Sequence, residues 1–448
     1  MTATRTPVRA GGLPVIGSTL DLRRDYLGTI LRASRELGPV VRFDVGVPGL
    51  RMALYSITGP EGCERVMSDP VAYRKETRSY DEVRLTLGNG LLTSQDEDWL
   101  RQRRYVAPVF TRRRMTTSYA AVMVEEASAV ARRWAGRGTV DVHAEMTRLT
   151  ARVVGRVLLG SDVEAALPRI METFAPLSTR LLRRAVSPRP IPPWLPTPAN
   201  REFHRHNQVL REIVDDLVAA RRRTGDDGGE DLLGLLLRGE GEERLTDAEV
   251  VDQVLVFLLA GHETTASTLA CALVELARAP QWQEAARAEL AELPGPPTAA
   301  DLPRLPTVDA VVREALRLYP AAHSVARLSS VATEVDGYAL PARANLVTSP
   351  WALHRRAELW PDPDRFDPGR FRPGSGQPLQ GGKQAWLPFS AGPRACIGAQ
   401  FAMLEASLVL AVLLGAYELR TALPGIPLEA GITLRPAAPL PVQLVPRG

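Results

Sequence analysis

Between Thr246 and Pro280 the chain carries the segment that dictates its architecture. Thr246-Asp-Ala-Glu249 is a capping box, in which a hydroxyl and a carboxylate satisfy each other's helix-start N–H groups. Pro280 lacks a donor and ends the pattern. The predicted helix has roughly 30 residues and a length of ~45 Å, enough to cross a whole domain. From Val250 to Leu259 it is apolar nearly all round, so other elements must bury it on every side.

Those elements are mostly further helices. Tyr26–Leu37 reads as a helix stopped by Gly38-Pro39, and Gly59-Pro60 opens another to about Ser68. Helical patterns follow at about 117–134, 144–159, 163–184 and 201–223, with one more after Cys396. Val40–Val45 and Met52–Ile57 alternate like strands, joined through Val47-Pro48-Gly49. Tyr73–Thr93 has no clear period and reads as a long loop. The prolines of Ser187–Pro198 exclude helix, giving a stiff connector with an apolar tip at Ile191, Trp194 and Leu195. Gly225–Glu230 reads as a flexible acidic loop. The expected fold is mainly α (α+β), a single unit over residues 1–448 with no internal repeat. Its helical part spans approximately 96–320 and 397–415. Its small β-rich part spans approximately 38–72 and 321–350 plus C-terminal strands.

Composition narrows the function. Three cysteines, Cys63, Cys271 and Cys396, give neither a paired framework nor a Cys-x-x-Cys-His haem attachment. That fits a reducing compartment, and a cytoplasmic location is expected. No apolar run of ~18 residues is read, so no transmembrane anchor is expected, and the N-terminus lacks the apolar core of a signal peptide. A net charge of +4 is modest for this size, whereas a nucleic-acid binder more often shows a strongly basic domain, so no nucleic-acid partner is expected. Nearly all the positive charge is arginine; Lys75 and Lys383 are the only lysines. The cluster Arg101, Arg103, Arg104, Arg112, Arg113 and Arg114 reads either as a solvated helix face or as a surface that steers an acidic partner.

The stretch Trp386–Met403 carries the chemistry. Cys396 stands where a turn (Phe389, Gly392, Pro393) runs into an apolar helix (Ile397, Phe401, Leu404, Leu408). A helix start favours thiolate. One thiolate on a shaped loop suits a single axial bond to an iron whose other ligands are a porphyrin's. Arg394 is placed for a porphyrin carboxylate, and Gly392 and Gly398 would let the backbone approach the ring. The plainer reading is a buried structural cysteine. Within the long helix sits Ala260-Gly261-His262-Glu263-Thr264-Thr265. Polar residues there are either back-bonded and satisfied, or Gly261 opens a groove in which Thr264 meets dioxygen and Glu263 relays protons from water. Such a relay needs the helix to be locally widened.

Phe389-x-x-Gly392-x-Arg394-x-Cys396-x-Gly398 resembles the haem-binding loop of the cytochrome P-450 family, and Glu263-Thr264 resembles that family's oxygen-activation motif. The resemblance covers essentially the whole chain. It implies the cytochrome P-450 fold and haem b held by Cys396, with Phe389, Arg394, Gly398, Trp99, Arg103 (Trp-x-x-x-Arg) and Arg327 around it. His354 is a further candidate for a propionate contact, or else a surface histidine. Glu314-x-x-Arg317 and Arg365 in Pro363-Asp-Arg-Phe366 resemble the signature of a buried structural network. Phe257, Ala260, Gly261, Ala322 and Val325 are expected to wall a lipophilic substrate. The implied activity is a monooxygenase, an oxidoreductase using O2 and two electrons from an external ferredoxin and reductase, acting as a monomer. Arg394 stands where soluble bacterial members commonly have histidine. With the opening Gly11-Gly12-Leu13-Pro14 it is similar to some actinobacterial terpene hydroxylases, which points to secondary metabolism and a cyclic sesquiterpene. Tailoring of a polyketide, macrolide or fatty acid is the alternative. A peroxygenase or a non-enzymatic haem sensor would not need Glu263 and Thr264.

Overall fold

The computed structural model describes residues 4–160, 163–224, 231–238, 245–374 and 382–447. The predicted acidic loop 225–230 lies outside them.

A single unbroken α-helix of 32 residues, Asp247–Arg278, is the axis of the molecule. Thr246 closes the capping box with Glu249 as expected. At the other end Ala279 leaves helical geometry because the ring of Pro280 disfavours it. The helix Val142–Leu158 packs closest along it. There the missing side chain of Gly261 is used for packing, since a Cβ would stand 3.0 Å from Val154. Thr150 adds a hydrogen bond from its hydroxyl to the His262 carbonyl, 2.9 Å. Ala399–Ala416, Pro306–Leu318 and Pro198–Thr224 complete the cover. The largest apolar core surrounds this axis.

The β-rich part is built on a six-stranded sheet in the order Val8–Arg9, Val40–Val45, Met52–Ile57, Asn345–Thr348, Val325–Ser329, Tyr73–Arg74. Val41 sits opposite Ser56, and Tyr55 opposite Leu346, which brings the two β regions of the chain into one layer. A hairpin, Leu428–Ala430 with Leu434–Pro436, lies against the helix Leu167–Ala185.

The mainly helical α+β expectation holds, with local corrections. Tyr73–Thr93 is not a loop; it holds the edge strand Tyr73–Arg74 and the helix Arg78–Leu87. The part read as helical contains the strand Thr139–Asp141, paired with Pro441–Pro446. Thr19–Arg24, Leu232–Leu237 and Pro280–Ala291 are additional helices. Asp247–Arg278 and Ala399–Ala416 are long and apolar enough to cross a membrane, contrary to the reading that no such run exists. Both are core helices: 83% and 56% of their most apolar windows are buried in protein.

Candidate active site

Cys396 sits on the loop that leads into the helix Ala399–Ala416. Its N–H donates to the Phe389 carbonyl, 3.0 Å, and Ala395 N–H closes a turn onto Gly392, 3.0 Å. Gly392 has φ +69°, and a Cβ there would strike the Ser68 backbone at 2.4 Å. Its smallness is therefore used in packing the loop against Ser68. Gly398 has room: a Cβ would meet the Cys396 sulfur and Phe110 only at 3.9 Å. Cys396 is exposed, whereas Cys63 and Cys271 are buried. Accessible yet closely surrounded, the sulfur lies on the floor of a cleft. The enclosing protein pushes the thiol above its ordinary value, with the Gly398 N–H and the Arg103 charge pulling it back. The helix start alone thus does not secure a thiolate; a metal ion replacing the proton would.

Beside this floor the fold gathers four cations. Arg394 lies 4.4 Å above the Trp99 ring, and Arg103 approaches the same ring at 5.5 Å. Arg394 also donates to the Ser94 carbonyl, 2.7 Å. Arg327, buried, donates to the Tyr80 hydroxyl at 3.3 Å. Lys75, also buried, donates to the Leu92 carbonyl, 2.7 Å, with its ammonium 5.0 Å from the Tyr80 ring. Burial drives Arg394 down to about 10, with Arg327 and Arg103 adding repulsion. Burial also takes Lys75 well below its usual range, helped by Arg394 and Arg327. Among the described residues none of the four has a carboxylate partner within 4.0 Å; nearby Asp96 is taken by Arg74. Clustered cations lacking a counter-charge are a receptor for carboxylates brought by a ligand. Trp99, Arg103, Arg327 and Arg394, chosen from sequence, are brought together here. Lys75 and Tyr80 were missed; the signal available was that Lys75 is one of two lysines in the chain.

The facing wall comes from the central helix. Ala260 is exposed, and Gly261 and Thr264 are half-buried, on a helix otherwise closed through this stretch. Phe257, one turn earlier on the same face, stacks on Phe110 at 5.7 Å, and Phe110 reaches Gly398. Exposed Ala322 and half-buried Val325 lie on the segment leading into the strand Val325–Ser329. The hairpin residue Leu434 donates to the neighbouring Ala321 carbonyl, 2.9 Å.

Thr264 and Glu263 diverge. The Thr264 hydroxyl donates to the Ala260 carbonyl, 2.7 Å, beside the cleft. Glu263 turns to the hairpin, where it accepts from Thr433 and stands 3.9 Å from Arg435. The helix has no local widening that would aim both into the cleft. Burial pushes the Glu263 carboxyl up, opposed by Thr433 and Arg435.

A buried network braces the thiol loop. Arg317 donates Nε and Nη2 to Glu314, both 2.7 Å, and both side chains are fully buried. The second guanidinium on Glu314 belongs to Arg370, at 3.4 Å, and not to Arg365. Arg365 is exposed and contributes only its carbonyl, 3.1 Å from Arg317 Nη2. His354 is neither a propionate contact nor a surface residue: it is fully buried. Its Nε2 accepts from Leu387 N–H, 2.9 Å, so its Nδ1 donates to the Arg317 carbonyl, 3.1 Å. It ties the Glu314 helix to the loop before Cys396. Burial first, then the Arg317 charge, pushes this imidazole down to about 3. Below about pH 6.5 an unfolded chain takes a proton that the folded ring refuses, so this stabilisation is lost as pH falls. Against His354→Gln, the wild-type advantage should shrink by about 2 kcal/mol between about pH 6.5 and pH 5, read from urea unfolding.

A thiol on the floor of a cleft under a long helix, ringed by unpaired cations and braced by a buried Glu–Arg pair, defines a haem-thiolate protein. The chain belongs to the cytochrome P-450 family, whose profile matches residues 7–436. It is 36% identical to a cyclooctat-9-en-7-ol 5-monooxygenase of Streptomyces melanosporofaciens, over 99% of this chain and 95% of that protein. It is also 36% identical to a cyclooctatin synthase of the same organism, over 93% and 90%. To a pentalenene oxygenase of Streptomyces avermitilis it is 32% identical, over 96% and 93%. It is an oxidoreductase of the monooxygenase type, and its family uses haem iron. The residues present fit that group: one accessible thiol, and a cation cluster that lacks its carboxylates.

Proposed function

We propose that this chain hydroxylates a terpene, as a haem b monooxygenase supplied with O2 and with two electrons by a ferredoxin and its reductase. The opening in the central helix at exposed Ala260 and half-buried Gly261 and Thr264, one turn from the Phe257 that stacks on Phe110 beside the Cys396 loop, carries this reading. The names of the relatives support terpene over polyketide chemistry. The haem, when bound, supplies O2 activation at a thiolate-ligated iron. Cys396 would hold its iron through the thiolate. Arg103, Arg327, Arg394 and Lys75 would hold its carboxylates, with Trp99 as the platform of Arg103 and Arg394 and Tyr80 beside Arg327 and Lys75. Phe257, Ala260, Gly261, Ala322 and Val325 orient the substrate and keep out water.

Thr264 and Glu263 are the proton-handling pair of this reading, and a direct relay between them requires a local opening of the helix, which is regular in the resting fold. Thr264 gives its hydrogen bond to Ala260 at rest, so it is positioned at the cleft and free to exchange that partner. Glu263 holds a proton readily because burial disfavours its charge. It stands behind the cleft with the Thr433 hydroxyl as its first contact. Exposed Arg104, Arg112 and Arg113 suit an acidic electron donor, whereas Arg101 is already paired with Asp98 and Glu249.

The test has two arms. Cyclic terpenes, fatty acids and macrolides are titrated into the ferric holoprotein, and a low-spin to high-spin shift is expected with the terpenes. A shift confined to macrolides would overturn the substrate class. Thr264→Ala should bind terpene unchanged, lose product by about tenfold or more, and release the electrons as peroxide. Unchanged product per NADH in this variant would remove Thr264 from proton delivery.

A further inference from the structure

Arg435 is buried behind the cleft with one end of its guanidinium unused. It lies on the strand Leu434–Pro436 of the hairpin and is 7% exposed. Nη2 is fully engaged: it donates to Glu429, 2.7 Å, and to the Thr179 hydroxyl, 2.8 Å. Nη1 is buried and has no hydrogen-bond partner among the described residues. The group it faces is Glu263, whose Oε1 stands 3.9 Å away. A charge-assisted contact is about 2.7–2.9 Å long, so Nη1 stops about 1 Å short of one. An unsatisfied buried donor is costly, and here it is left beside the carboxyl that would satisfy it.

Two carboxyl groups thus compete for one guanidinium. The Glu429 side chain is 38% exposed and that of Glu263 only 9%. While Arg435 stays on Glu429, burial and the Glu429 charge both favour a protonated Glu263. With Arg435 drawn onto Glu263, the carboxylate becomes the favoured form. His143, on the helix Val142–Leu158, is the other titratable group that faces Arg435. Burial holds its imidazole low, so it brings no charge of its own.

The hairpin is what can move Arg435. On one side Ile432 N–H donates to the Ser178 carbonyl and hydroxyl, 3.2 and 3.0 Å, on the helix Leu167–Ala185. Thr179 of that helix also donates to Glu429, 2.9 Å. On the other side Leu434 N–H holds the Ala321 carbonyl, 2.9 Å, and His323 Nε2 donates to the Gly431 carbonyl, 2.9 Å. Ala321 and His323 flank Ala322, which is set to meet the substrate. We propose, on the proton-handling role given to Glu263 above, that Arg435 is its positioning residue and exchanges Glu429 for Glu263 when substrate displaces the Ala322 segment. On that exchange the O–H bond of Glu263 breaks. Its proton passes to the Thr433 hydroxyl, already in contact, and Thr433 gives its own proton to water in the cleft. The carboxylate left behind pairs with Arg435, and Glu429 turns to solvent.

The experiment is infrared spectroscopy of the ferric holoprotein over a pH series. It follows the C=O stretch of protonated Glu263, identified by its loss in Glu263→Gln. At the pH where the wild-type band has half its full intensity, Arg435→Gln should raise the ratio of protonated to ionised Glu263 about tenfold, and Glu429→Gln should lower it about tenfold. Arg435→Lys keeps the charge and should fall between wild type and Arg435→Gln. A ligand that gives the high-spin shift should weaken the wild-type band and leave that of Arg435→Gln as it was. Product per NADH should fall about tenfold in Arg435→Gln, with the missing electrons found as peroxide. If Arg435 only fastened the hairpin to its neighbours, both variants would loosen it and admit water, and the band would move the same way in both. That result, or no movement, overturns the proposal, as does a wild-type band that a spin-shifting ligand leaves unchanged. Opposite movements with unchanged product per NADH in Arg435→Gln overturn it as well, and Thr264→Ala then shows whether the proton-delivery reading falls with it.

Discussion

Glu314→Ala is expected to yield a protein that unfolds early and retains little haem. The Glu314 carboxylate is fully buried, accepts from Arg317 twice and from Asp367 N–H at 2.8 Å, and forms an ion pair with Arg370 at 3.4 Å. Deleting it leaves two guanidiniums buried without an anion, a loss of about 3–5 kcal/mol. Whole domains hold only about 5–15 kcal/mol of stability. The damage would reach Cys396 because Arg317 also donates to the carbonyls of His354, 2.8 Å, and Pro363, 2.6 Å. His354 in turn accepts from Leu387, two residues before Phe389. Urea unfolding and haem content are the measurements. A pair of controls sharpens them. Arg370→Ala should cost about 2 kcal/mol or more through its buried pairing, while exposed Arg365→Ala should stay within about 0.5 kcal/mol. Equal effects from the two arginines would overturn this assignment of the network.

That arginine shows where sequence reading stops. Pro363-Asp-Arg-Phe366 is followed at once by Pro368-Gly-Arg-Phe371, the same pattern five residues on. Nothing local distinguishes them; only the folded chain brings Arg370, and not Arg365, to Glu314. Features whose cause is local were legible. The central helix begins and ends within two residues of its reading, because a capping box and a pre-proline residue act over one turn. Tyr26–Leu37 was bounded correctly for the same reason, with Asp25 as cap and Gly38 as stop. The helix Arg78–Leu87 was not legible, since it is polar along most of its length. It is held by tertiary partners such as the buried pair Glu82–Arg184. Motif spacing also named most of the cation cluster but gave no directions. Adjacent residues on a helix point about 100° apart. Glu263 therefore meets the hairpin while Thr264 meets the cleft, which their adjacency in sequence conceals.

Removing one cation from the cluster should move two properties in opposite directions. Lys75→Gln takes a desolvated ammonium away from Arg327 and Arg394, whose charges oppose its own. The glutamine amide can still donate to the Leu92 carbonyl that Lys75 now holds. The protein freed of haem should therefore gain stability, by about 1 kcal/mol in urea unfolding. The holoprotein should lose haem about 10–100-fold faster to an apoglobin acceptor, the consequence of one missing charge-assisted contact. If Lys75 served only to pin the chain at Leu92, its loss would weaken both forms together. A gain in the haem-free form with a loss in the haem-bound form is the mark of a receptor whose repulsion is relieved by its ligand. The same reasoning ranks the four. Arg394 also stacks on Trp99 and holds Ser94, so Arg394→Gln should cost packing that offsets the relieved repulsion. Lys75 is thus the position at which the two contributions separate most cleanly.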